Sequence, residues 1–166
     1  MPLRSHRAEL MAHELNHLRW SPMSSSPHPI PEVPPSPSLL IVDDYPDALD
    51  VWGVYLRAEG FTVLTASDGQ SAFAEAVREK PDVIIMDLEL PGKSGYEVAR
   101  DLKARPDTCD IPLIAATGYS HVKQLDLARA SGFDAVMVKP CDPQSLVAEI
   151  RRLLRKPDPA AAAATE

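Results

Sequence analysis

LLIVDD, residues 39–44, sets four aliphatic side chains in a row and then breaks off in two carboxylates. An extended run that is apolar on both faces belongs inside a sheet covered on both sides, the situation of parallel strands flanked by helices. Four more such runs follow: Phe61 to Leu64, Val83 to Met86, Ile111 to Ala116 and Ala135 to Val138. Between the first two, Pro46 opens a helix with apolar positions at Leu49, Trp52 and Leu56, and Gly60 is its stop signal. Ala72, Phe73, Ala76 and Val77 mark a second helix, and Gly95, Val98, Ala99 and Leu102 a third. A less regular fourth, from about Ser120 to Ser131, ends at Gly132, and Leu146, Val147, Ile150, Leu153 and Leu154 mark a fifth. Five βα units in this order predict an α/β fold, a doubly wound five-stranded parallel sheet in a three-layer αβα sandwich.

In such a sheet, ligands bind beyond the carboxyl ends of the strands, where the winding direction reverses. The residues standing there are Asp43 and Asp44 after the first strand, Asp87 after the third, Thr117 at the end of the fourth, and Lys139-Pro140 after the fifth. Each alone has a bland explanation, since Asp and Thr cap helices and close turns. Together they do not. If the first and third strands are neighbours, three carboxylates converge, and like charges at that range require a counter-charge. A divalent cation supplies one, and hard oxygen ligands with room for water favour Mg²⁺ over Zn²⁺. Lys139 adds a fixed positive charge and Thr117 a hydroxyl donor. A metal, an ammonium and a hydroxyl around one carboxylate suit a transferring phosphoryl group, whose negative charge spreads over its equatorial oxygens. Asp87 is then the candidate nucleophile and would become an acyl phosphate.

LLIVDD, PDVIIMDLELPGKSG, IPLIAATG, the SGFDA turn and VMVKP, in this order and spacing, resemble the receiver domains of two-component response regulators over nearly all of residues 38–156. The resemblance implies a flavodoxin-like strand order, 2-1-3-4-5, and a role for each matching position. Asp44 would be a direct Mg²⁺ ligand, Asp43 an acidic partner acting largely through water, and Glu89 would lend its backbone carbonyl to the metal. Asp87 would accept the phosphoryl group from a phosphohistidine on a sensor histidine kinase or a histidine phosphotransfer protein. Thr117 and Lys139 would bind the phosphoryl oxygens, and Lys139-Pro140 resembles the family's cis peptide. Glu89 and Tyr119 occupy positions that in this family influence how fast the acyl phosphate hydrolyses. By the same resemblance, the fourth helix, fifth strand and fifth helix form the face for a downstream protein target or a second phosphorylated copy. One position departs: the family has Tyr or Phe three residues before the lysine, as a rotor coupled to the threonine, and here that residue is Val136.

The 166 residues, 45% hydrophobic and 25% charged, suffice for one ordinary core and not two. A net charge of −7 argues against direct nucleic-acid binding and against an anionic membrane surface, since either needs a cationic face. Cys109 and Cys141 lack C-x-x-C spacing and are too few for a secreted disulfide framework, and no apolar run approaches the roughly 20 residues of a membrane span. A cytoplasmic protein is expected. Residues 1–37 read as a Pro-rich disordered extension with a short helix at 7–20, residues 38–156 as the folded domain, and 157–166 as a disordered tail. With only low-complexity residues after Lys156, the expectation is a stand-alone receiver that signals through protein contacts or onward relay. It would not be an enzyme beyond slow self-dephosphorylation. A receiver-fold scaffold that is never phosphorylated is the alternative, resting on Val136.

HELNH, residues 13–17, invites a zinc-peptidase reading, with two histidines at i and i+4 beside a glutamate. A Ser/Pro linker follows within a few residues and leaves no helical segment to present a third ligand. A chance pattern on a weak amphipathic helix, with Leu10, Met11, Leu15 and Leu18 on one face, is the better expectation. Arg151, Arg152, Arg155 and Lys156 read as complements to the C-terminal dipole of the last helix, and Trp52 and Tyr55 as helix packing.

Overall fold

The computed structural model describes residues 35–118 and 122–155. HELNH, the helix expected at 7–20, Tyr119, Lys156 and the tail at 157–166 lie outside the described residues. Within them, strands and helices alternate: β1 (Ser38–Val42), α1 (Pro46–Ala58), β2 (Thr62–Ala66), α2 (Gly69–Glu79), β3 (Val83–Met86), α3 (Gly95–Lys103), β4 (Leu113–Thr117), α4 (Val122–Ala130), β5 (Ala135–Val138) and α5 (Pro143–Leu154). Every strand pairing is parallel, and the order is β2-β1-β3-β4-β5, as expected. β1 is the point of reversal. Its last residue, Val42, is in register with Ala66 of β2 on one side and Met86 of β3 on the other.

The two-residue period of an extended chain explains why LLIV has no polar face. Leu40 and Val42 join Ile84, Met86, Leu113 and Ala115 beneath α2, α3 and α4, while Leu39 and Ile41 join Val83, Ile85, Ile114 and Ala116 beneath α1 and α5. The two edge strands depart from the fully apolar expectation. β2 exposes Thr62 and Thr65, and β5 is half-buried with Val138 exposed. An edge strand has one neighbour, and helices on the two faces do not close over it.

Two boundaries differ from the sequence reading. β4 begins at Leu113 and not at Ile111, because Pro112 has no N–H to offer the ladder and the Ile111 N–H donates to the Thr108 carbonyl at 3.1 Å. β2 starts at Thr62, since the Phe61 N–H is taken by the Leu56 carbonyl at 3.1 Å, and runs on to Ala66, whose carbonyl accepts from the Asp43 N–H at 3.2 Å. Gly60, at φ +94°, makes the turn out of α1. The basic residues of α5 are paired more than the dipole reading implied: Arg151 meets Glu59 at 3.1 Å and Arg152 meets Glu149 at 2.6 Å. No helix among the described residues is long and apolar enough to cross a membrane.

Carboxylates do most of the capping. Asp68 accepts from the Ser71 N–H and Asp142 from the Ser145 N–H, each at 2.8 Å. At the amino ends of the strands, Asp82 accepts from the Ser38 N–H at 2.7 Å and Asp134 from the Leu113 N–H at 2.8 Å. α3 opens with a reciprocal box in which Ser94 and Glu97 satisfy each other's backbone donors. α1 is different: its N-cap is Tyr45, with no side-chain cap. Asp43 and Asp44, which stand just before it, are therefore not engaged as caps. Removing the box at α3 by Ser94→Ala should lower the unfolding free energy by about 1 kcal/mol in urea titrations, with an unchanged slope.

Candidate phosphorylation site

Because β1 and β3 are hydrogen-bonded neighbours in register at Val42 and Met86, the next residues, Asp43 and Asp87, leave the sheet side by side. Asp44 follows one position later. One carboxylate oxygen from each of the three lies within 4.8 Å of the others. Lys139, the first residue beyond β5, reaches across β4, and its Nζ donates to Asp43 Oδ2 and to Asp87 Oδ2, both at 2.6 Å. The remaining oxygens of these two carboxylates are held by their own loops. Asp43 Oδ1 accepts from the Tyr45 N–H at 2.9 Å, and Asp87 Oδ1 from the Glu89 N–H at 3.0 Å. Each is thus oriented twice, once by local backbone and once by the ammonium.

Asp43 is 6% exposed, Asp87 is half-buried and Asp44 is exposed. Thr117, fully buried, ends β4 between the strands that deliver Asp87 and Lys139, and its carbonyl accepts from the Lys139 N–H at 2.8 Å. The Lys139-Pro140 bond is cis. Glu89 is exposed in the loop after β3, two residues beyond Asp87. Val136 is half-buried and packs against the cluster under α2, α3 and α4. Asp43, Asp44, Asp87 and Lys139 are in mutual reach, while Thr117 and Glu89 sit on the same rim, in adjoining backbone.

Burial strips water from the Lys139 ammonium, but hydrogen bonds to Asp43 and Asp87, and their charges, outweigh that loss and hold its pKa above the ordinary 10.5. One ammonium among three carboxylates leaves negative charge uncompensated, most plainly at exposed Asp44, whose carboxylate has no ion pair among the described residues. An all-oxygen donor set of this kind, open to solvent on one side, fits a hard divalent cation that keeps part of its water.

The sequence reading missed what surrounds these groups. A cleft of about 480 Å³ runs from the carboxylates under α1, and Trp52, Leu56, Leu146 and Cys141 line it. Trp52 packs edge-on to Tyr55 as expected, with ring centroids 6.2 Å apart, yet it also faces the site. The burial of Cys141 pushes its thiol pKa up, partly offset by Lys139. Gly95 carries a second missed role. A Cβ there would lie 2.3 Å from the Asp87 carbonyl oxygen, so only glycine lets α3 start this close to the loop. The sequence signal was a glycine inside the first turn of a helix, directly after the Ser94 cap, where glycine lowers helix propensity.

Residues 39–151 match the family model of the response regulator receiver domain. The chain belongs to that family. Receiver domains act in two-component signalling, where aspartate phosphorylation and Mg²⁺ are typical. This receiver is 36% identical over 122 residues to the DNA-binding dual master transcriptional regulator RpaA of Synechocystis sp., covering 74% of this chain and 51% of that one. It is 38% identical over 122 residues to the phosphate regulon transcriptional regulatory protein PhoB of Pseudomonas aeruginosa, covering 74% and 53%. The chain thus spans about half the length of the curated relatives it matches. Among solved structures, it resembles the receiver domain of sensor histidine kinase PA1611 from Pseudomonas aeruginosa, which has a magnesium ion coordinated in its active site cleft (TM-score 0.69, 27% identity, covering 73% of this chain and 99% of that one). It also resembles the chemotaxis response regulator CheY4 of Vibrio cholerae (TM-score 0.67, 27% identity, covering 71% and 98%).

The raised pKa of Lys139 has a signed consequence. A group whose folded-state pKa is raised contributes stability in full below its unfolded value, and that contribution is lost as pH climbs through the folded value. The stability gap between wild type and Lys139→Gln should therefore stay level up to about pH 9.5 and narrow past 10.5, as read by urea denaturation across that range. Asp44→Asn, which removes one of three mutually repelling charges, should raise the melting temperature in metal-free buffer. The rise should be small, because exposed charges repel through water.

Proposed function

We propose that this receiver domain is a phosphoacceptor, in which Asp87 takes a phosphoryl group from the phosphohistidine of a sensor histidine kinase or histidine phosphotransfer protein. The observation that carries this reading is the placement of Asp87 within 4.8 Å of two other carboxylates and 2.6 Å from the Lys139 ammonium. In the transfer, a carboxylate oxygen of Asp87 forms a bond to phosphorus while the bond from phosphorus to the donor's imidazole nitrogen breaks. The electron pair stays on that nitrogen, which takes a proton from solvent. Mg²⁺ held by Asp44, Asp87 and the Glu89 carbonyl, with Asp43 acting through water, would neutralise charge on the phosphoryl oxygens.

Lys139 already spans Asp43 and Asp87, so a small displacement of its Nζ suffices to meet a phosphoryl oxygen on Asp87. Thr117 would donate its hydroxyl to another. The magnesium found in the PA1611 receiver domain supports the metal assignment by likeness. Tyr45, just before α1 at the rim, and Val51 and Val54 further along the helix are exposed, and offer apolar footing to a donor protein whose histidine must reach Asp87. Exposed Val122, Leu127 and Val138 on α4 and β5 would receive a downstream target or a second phosphorylated copy. Cys109 and Cys141 are both free, which suits a reducing cytoplasm.

A receiver-fold scaffold that is never phosphorylated is favoured by one observation alone, an aliphatic Val136 where the family has an aromatic rotor. Intact-mass measurement separates the two readings. With Mg²⁺ and a small phosphodonor, the wild type should gain one phosphoryl adduct, and both Asp87→Asn and chelation of the metal should abolish it. A wild type that gains no adduct from the small donor or from a phosphohistidine protein would leave the scaffold reading standing.

A further inference from the structure

Residues 88–94 join Asp87 to α3 and carry Glu89 as their second residue. Near its start this loop is pinned beneath the sheet rim: Leu88 is buried, its carbonyl accepts from the Gly95 N–H at 3.0 Å, and Gly95 itself packs against the Asp87 carbonyl. A second pin lies at the far end and comes from another element. A Cβ on Gly69, the first residue of α2, would stand 1.9 Å from the Lys93 carbonyl oxygen and 2.8 Å from its carbonyl carbon. Both are backbone atoms, so no side-chain rotation relieves the collision. The Lys93 side chain is drawn the same way, with Nζ 4.5 Å from the ring centroid of Phe73 on α2 and an ion pair to Asp101 on α3. Gly69 and Phe73 are four residues apart and share one face of the helix. Glu89 sits between the two pins.

We propose that Gly69 is a positioning residue for the phosphorylation site, lacking a side chain so that α2 seats against the Lys93 backbone and fixes the loop that presents the Glu89 carbonyl. Gly69 touches neither Asp87 nor the metal position and acts through the loop. The inference rests on the Mg²⁺-dependent reading above. To bring a Cβ from 1.9 Å out to ordinary contact at 3.4 Å, helix and loop must separate by about 1.5 Å. A shift of the Lys93 backbone, carried back along four residues, would disturb the Glu89 carbonyl, and Mg²⁺ tolerates a misplaced ligand poorly, since it demands near-ideal octahedral geometry.

Calorimetric titration of the full chain with Mg²⁺ tests this, at a temperature where melting curves show every variant folded. Gly69→Ala should bind roughly tenfold more weakly, the cost of disturbing groups that orient metal ligands. Ala76→Gly loosens the interior of the same helix without colliding with the loop, and its affinity should match wild type. Phe73→Leu, which removes the platform under Lys93 without changing charge, should weaken binding about two- to fivefold, the equilibrium equivalent of an exposed cation–π contact. Wild-type affinity in Gly69→Ala, or equal weakening in Ala76→Gly, would overturn the positioning role alone. Should Gly69→Ala not fold, Phe73→Leu decides: weakening supports the clamp, and wild-type affinity overturns it. A wild-type protein that takes up no Mg²⁺ would overturn the metal reading and this one together, before any variant is compared.

Discussion

Asp43 and Asp87 share one ammonium because β1 and β3 are parallel neighbours in register, and this adjacency underlies everything at the rim. Parallel strands that end at the same level must deliver their next residues to the same place. Here both residues are acidic, so the fold brings like charges together, and Lys139 crosses from beyond β4 to meet them. The buried aliphatic layers on both faces of the sheet hold that geometry against the repulsion, since a one-residue slip of either strand would exchange the faces on which its side chains pack and draw a carboxylate toward the apolar layer.

The start of α1 shows the same tension from the helix side. Asp68, Ser94 and Asp142 each close the first turn of a helix, whereas α1 begins at Tyr45 without a side-chain cap although two aspartates precede it. An aspartate as N-cap is worth about 1 kcal/mol to a helix. Asp43 instead turns Oδ1 to the Tyr45 N–H and Oδ2 to Lys139. The helix thus begins without a side-chain cap, while Asp43 is held at the centre of the charge cluster.

Much of this was legible in the chain because it is carried by short-range pattern. LLIVDD announces a doubly covered strand and the acidic step at its end, and the residues after each apolar run could be named as a site from the rule that such sheets bind ligands at their carboxyl rim. The five units, the strand order implied by resemblance and the cis Lys139-Pro140 bond all match the structure. What stayed hidden depends on contacts far apart in sequence. The double grip of Lys139 joins residues 96 and 52 positions away. The role of Gly95 appears only once the Asp87 carbonyl lies beneath it. The start of β4 was misjudged on local ground, since Pro112 has no N–H for the ladder, whereas the exposure of β2 and β5 follows from their place at the edges.

Aspartates stand at both ends of the sheet, and their fates differ. At the amino ends of the strands, Asp82 and Asp134 are already answered by the peptide N–H groups of Ser38 and Leu113. At the carboxyl ends, three acidic groups have a single lysine among them, and backbone N–H groups answer only one oxygen each of Asp43 and Asp87. An evenly acidic composition is thereby sorted into a quiet pole and an unsatisfied one. The domain acquires an electrical direction along its strands, and an incoming cation has one end to seek.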